Sequence, residues 1–178
     1  NSNNMTGLEV AEALIRYSGL DHIRIETVSG RLSDHYDPRS NTLRLSSGVA
    51  NTPSIAAAAI AAHELGHAMQ DHEDYMPLRF RSAIVPMVNI GSYLGWIMLI
   101  GGLLLNMTTL AWIGVIVFSG GAVFALATLP VELNASSRAK ALLERSGIIQ
   151  RSEDRAGVNR VLNAAALTYV AALITAVM

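Results

Sequence analysis

Two histidines four residues apart flank an acidic side chain in the run His63-Glu64-Leu65-Gly66-His67. On a helix, positions i and i+4 sit one turn apart on the same face, so both imidazoles can reach a single metal ion. The ion suited to two such nitrogens in an open site is zinc. Glu64 lies beside them, placed to take a proton from an attacking water and hand it to the departing amine of a cut peptide. The chemistry expected is hydrolysis of a peptide bond. The chain contains no cysteine, which excludes disulfides and thiolate ligands and leaves His, Asp and Glu to hold any metal.

A catalytic zinc takes a third protein ligand and keeps one position open. The extended motif that supplies a third histidine from the same helix is ruled out, because Gln70 and Glu73 occupy the places where it needs glycine and histidine. The remaining candidates are Glu132, His72, His35, Asp34, Asp37, Asp71 and Asp74. Glu132 ranks first. It is the first charged residue after a long uncharged run, and a carboxylate at a membrane edge is costly unless it is paired or bound to metal. His72 is turned away from the ligand face by its spacing from His67. His35 falls on an expected strand just before the motif, where an extended substrate can run along a sheet edge.

The elements that must position these residues can be read from the hydrophobic pattern. Thr6-Gly7-Leu8-Glu9 has the form of a capping box, and Val10, Ala13, Leu14 and Tyr17 recur at helical spacing up to Gly19. Residues 22–28 alternate like a strand; 32–36 and 42–46 read as two more, joined by a turn at 37–41. A small antiparallel sheet is therefore expected ahead of the motif. Thr52-Pro53 reads as a helix start, followed by an alanine-rich run that leads straight into His63.

From Ser82 to Val131 there is no formal charge, which is enough for two membrane crossings at about 20 residues each. Asn106-Met107-Thr108-Thr109 is the most polar point in that stretch and marks the turn. Gly91 with Gly95, Gly101-Gly102 and Gly120-Gly121 offer small surfaces for close helix approach. Residues 132–160 are charged again, with a helix expected to Arg145 and another from about Glu153. Residues 161–178 are uncharged and nearly long enough for a third span. The expected organisation is a catalytic part at 1–81, a transmembrane hairpin at 82–131, a third-ligand helix with an amphipathic linker at 132–160, and a third transmembrane helix at 161–178. The net charge is −1, without the clustered basic face that a nucleic-acid partner requires.

The segments Thr6-Gly7-Leu8-Glu9-Val10-Ala11, Leu32-Ser33-Asp34-His35-Tyr36-Asp37-Pro38, Ala61-Ala62-His63-Glu64-Leu65-Gly66-His67-Ala68, Pro77-Leu78 and Leu129-Pro130-Val131-Glu132-Leu133-Asn134-Ala135-Ser136 resemble the YugP-like neutral zinc metallopeptidases of bacterial membranes. The resemblance implies zinc held by His63, His67 and Glu132, with Glu64 as catalytic base. It extends more distantly to the heat-shock and prenyl-protein membrane peptidases, whose third ligand opens a Glu-x-Glu-Ala-Asp run. Here Ser136 stands where that run has the aspartate that orients a zinc histidine. Family members begin with an apolar segment; the polar start Asn1-Ser2-Asn3-Asn4 points to a truncated or processed beginning.

The expectation is thus an α+β, mainly helical membrane zinc endopeptidase in the multi-pass cell membrane, acting near its cytoplasmic surface on a peptide or protein substrate, membrane proteins included. Two alternatives differ in class. One is a catalytically silent scaffold that keeps the fold and binds partners, which the retention of Glu64 does not favour. The other is cleavage inside the bilayer, which would place the motif within an apolar span rather than after a polar sheet.

Overall fold

The computed structural model describes residues 4–177, so the residues before Asn4 in the polar start lie outside the described ones. Seven helices and three strands follow in the order α1 (Gly7–Ser18), β1 (Arg24–Val28), β2 (His35–Asp37), β3 (Thr42–Ser46), α2 (Ser47–Ala50), α3 (Ile55–His72), α4 (Met76–Leu104), α5 (Thr108–Phe118), α6 (Gly120–Arg145) and α7 (Ser152–Val177). They divide into two compact units, residues 4–75 with 132–166, and residues 76–131 with 167–177.

In the first unit, α1 starts as its sequence requires. The Thr6 side chain accepts from the Glu9 backbone N–H while the Glu9 carboxylate accepts from Thr6 N–H, and Gly19 closes the helix with φ 68°. The helix buries Val10, Ala11 and Leu14 against α3 and its surroundings.

The sheet departs from expectation. It is mixed rather than antiparallel, in the order β1-β3-β2, with β1 parallel and β2 antiparallel to β3. The chain reverses between β1 and β2 and again between β2 and β3, so the first and third strands point the same way. An all-antiparallel sheet would need β2 in the middle. Instead β3 takes the centre, because Thr42, Leu43, Leu45 and Ser46 are buried while β1 and β2 hold only exposed and half-buried residues. The second strand is also shorter than its pattern: Leu32 lies in the preceding loop, 94% exposed and with φ 56°.

The motif helix begins two residues later than its Thr-Pro signal suggests. Ser54 is the cap and accepts from Ala57 N–H, with the short α2 intervening after β3. Ala57, Ala58, Ala59, Ala61 and Ala62 are all buried. Alanine on so many sides lets neighbouring elements come close to α3, and its core partners include Leu43 and Leu45 of β3, Ala139 and Leu143 of α6, and Val158 and Leu162 of α7.

In the second unit, α4 and α5 form an antiparallel pair joined at residues 105–107, where the polar turn was expected. Of the glycines expected to allow close approach, Gly95 and Gly102 do so, joined by Gly114, whereas a Cβ at Gly91 would make only ordinary contacts. A Cβ at Gly95 would fall 2.7 Å from Phe118 N and 3.0 Å from Gly114 O, and Gly102 lies equally tight against Ala111. Gly101, Gly120 and Gly121 face open space. The Trp96 ring meets the edge of Phe118, centroids 5.6 Å apart.

Two runs among the described residues, Met76–Leu104 and Thr108–Arg145, are long and apolar enough to cross a membrane, with mean hydropathy 1.7 and 2.2. Of those windows only 6% and 11% is buried, unlike the core helix of a soluble domain. The helix carrying Glu132 does not start there: α6 runs unbroken from Gly120 through Pro130 to Arg145. Similarly, α7 joins the charged residues after Ser152 to the apolar ones after Arg160 in one helix.

Candidate metal centre

The site forms where α3 meets the part of α6 after Pro130. Gly66 is the point of closest approach: a Cβ there would stand 2.5 Å from the Ala135 carbonyl oxygen. Helical residues advance about 100° each, so with Ala135 central, Glu132 and Ser136 lie on one flank of α6 and Asn134 and Arg138 on the other. The first pair reaches the upper turn of the motif, and the second reaches the lower.

On the first flank, His63 Nε2 is 3.1 Å from Glu132 Oε2, and His67 Nε2 is 3.6 Å from the same oxygen. The imidazoles stand edge to face, with centroids 4.9 Å apart. One ligand atom from each of His63, His67 and Glu132 lies within 4.8 Å of the others. Glu132 is 4% and His63 8% exposed. Two nitrogens and one carboxylate oxygen, converging, with His63 and Glu132 buried and His67 half-buried, are a donor set that fits zinc with a position to spare. Their outer nitrogens are also engaged, His63 Nδ1 with Ser136 Oγ at 3.2 Å and His67 Nδ1 with Gln70 Oε1 at 3.0 Å.

Glu64 lies one residue from His63 on the same helix and is partly buried. Burial pushes its carboxyl up to about 7, and the Glu132 and Asp34 carboxylates add to the rise; His63 and a hydrogen bond from the Tyr36 backbone N–H oppose it. A cation between the three ligands would oppose it further. That N–H belongs to β2, one of the two edge strands of the sheet.

The other candidate ligands go elsewhere. His72 stacks on His22, with centroids 5.4 Å apart. His35 Nδ1 bonds the Ser33 carbonyl at 2.8 Å. Asp34 accepts from Ser46 N–H and Oγ, Asp37 from Arg44 and Ser40, and Asp71 from the Tyr36 hydroxyl at 3.0 Å. Burial and that Asp71 carboxylate hold the Tyr36 hydroxyl well above the ordinary tyrosine range. Asp74 sits past the end of α3 with φ 53°. Among the described residues, His63, His67 and Glu132 are the one such cluster. Gln70 was not singled out from the sequence, although its place three residues after His67 puts it on a neighbouring part of the same helix.

Residues 1–178 match the family described as "Putative neutral zinc metallopeptidase". The chain belongs to this family. It is 46% identical over 171 residues, 96% of this chain and 76% of the other, to the protein named "Putative membrane protease YugP" of Bacillus subtilis (strain 168). No solved structure matches. Within this zinc metallopeptidase family, the segments that carried the resemblance include those that meet in the centre, from Ala61 to Ala68 and from Leu129 to Ser136.

Proposed function

We infer that the protein is a membrane zinc endopeptidase, with His63, His67 and Glu132 as metal ligands and Glu64 as catalytic base. The observation that carries this is the convergence of His63 Nε2, His67 Nε2 and a Glu132 oxygen within 4.8 Å beside the Glu64 carboxyl on the same helix turn. What zinc supplies when bound is Lewis acidity, which makes water nucleophilic near neutral pH. The protein's own part is to hold the ligands, to accept the water's proton on Glu64, and to return that proton to the leaving nitrogen. An extended peptide backbone pairs along the edge strand β2, which carries Tyr36, a neighbour of Glu64.

The two apolar runs, with residues 161–178 as a third span, anchor this centre to the cell membrane. Arg79 and Arg81 lie in the first turns of the first run, just before the uncharged stretch from Ser82, and Arg138, Lys140 and Arg145 follow Glu132, whereas the turn at 105–107 carries no charge. Positive residues near membrane ends favour the cytoplasm, so the centre faces inward and cleavage takes place at that surface. The deciding experiment is metal analysis of purified protein, followed by His63→Ala and His67→Ala. One zinc per chain, lost in both variants, is expected; full zinc occupancy in both would overturn the ligand assignment.

A further inference from the structure

We propose that Arg138, acting through Asn134 and Gln70, selects the tautomer of His67 whose Nε2 is free to bind metal. The proposal rests on the reading of His67 as a zinc ligand, but the relay itself is a property of the protein without metal. Arg138 Nε donates to Asn134 Oδ1 at 2.7 Å. A guanidinium has donors and no acceptor, so the Asn134 atom turned toward it must be the oxygen. The same oxygen accepts from Gln70 Nε2 at 2.9 Å. Gln70 must therefore present its NH2 to Asn134 and its carbonyl oxygen on the opposite side.

That carbonyl oxygen lies 3.0 Å from His67 Nδ1. It can only accept, so Nδ1 carries the proton and Nε2 keeps its lone pair. Nε2 is the atom directed at Glu132. Each orientation along the chain is thus forced by the one before it, starting from a group that cannot reverse its role. Arg138 is itself fixed, 2.8 Å from Glu73 Oε2 and 5.8 Å above the centre of the Tyr75 ring. Gln70 is fully buried, so bulk water does not compete for its amide. The partner of His63 is different in kind. A hydroxyl both donates and accepts, so Ser136 supports either tautomer of that ring.

Gln70, Asn134 and Arg138 are positioning residues, and the readout that separates this role from a general structural one is the tautomer. This chain labelled with ¹⁵N-histidine has five histidines to assign. Stripped of metal with EDTA, in detergent, His67 should carry a ring proton on Nδ1, as its ¹⁵N shifts read directly. Gln70→Met, which cannot accept the proton, should move it toward the Nε2–H form and weaken zinc binding about 10- to 100-fold. Arg138→Met should relax the selection as well, whereas Asn134→Asp, whose oxygens both accept, should preserve it. Unchanged signals from His22, His35 and His72 report an intact fold, and Asn134→Leu replaces Gln70→Met if that variant does not fold. A His67 ring in the Nε2–H form in the unmutated protein, or a tautomer unmoved by Gln70→Met, would overturn the relay. Zinc retained in His67→Ala would instead overturn the ligand assignment, while the tautomer measurement still judged the relay.

Discussion

Glutamine in place of Glu64 keeps the size of the side chain and removes its ability to accept a proton. Peptide cleavage by Glu64→Gln should fall by about 10²–10⁴-fold or more while the zinc content stays at one per chain. Unchanged turnover would assign the base to another residue. Glu132→Ala should lower zinc occupancy sharply, as measured by elemental analysis, and His72→Ala and His35→Ala should not, since those rings are engaged with His22 and Ser33. The opposite pattern would replace the third ligand. His63, Glu64 and His67 could be read from the sequence because their relation is local: one helix turn fixes it. Glu132 could be ranked first because it ends an uncharged run. Gln70 and Asn134 could not be recognised, because their roles come into being only when two helices 64 residues apart in sequence cross at a particular register.

The crossing of α3 and α6 depends on Gly66, and here the cost of a methyl group can be stated. Gly66→Ala would press a Cβ against the Ala135 carbonyl and force the helices apart, destabilising the first unit by about 1–3 kcal/mol. Because the same crossing brings Glu132 to His63, zinc affinity should fall with it, as read by competition with a chelator; full affinity in a folded variant would show that the contact is not required. By contrast, Thr6→Ala at the far end of the unit should cost about 1 kcal/mol in denaturant unfolding and leave zinc binding unchanged. Local signals of this kind were legible: the capping box is where it was expected. The sheet was legible only as three strands. Alternation tells which face of a strand is buried but not which strand is central, and the central place of β3 goes with the burial of Leu43 and Leu45 on one of its faces and of Thr42 and Ser46 on the other.

On the scale of the whole molecule, the distribution of charge leads to a topology that can be measured directly. The chain has no cysteine of its own, so single cysteines report cleanly. In intact cells Thr108→Cys should react with an impermeant thiol reagent, and Ser137→Cys only after lysis. The reverse pattern would place the centre outside. The uncharged stretch made the two apolar runs legible, and the helix from about Glu153 through the apolar residues after Arg160 was legible too, but not the continuity of α6 across Glu132, because a change from apolar to charged composition does not by itself end a helix.

His63 and Glu132 are 69 positions apart, and the whole of α4 and α5 lies between them. During synthesis, a ribosome that has finished the motif helix has therefore made only two of the three candidate ligands, and Glu132 is not translated until α4 and α5 have been. A nascent chain at that stage has a pair of imidazoles but no carboxylate to complete the set. The order of the residues thus sets an order of assembly: the three converging side chains cannot meet before α4 and α5 have been made.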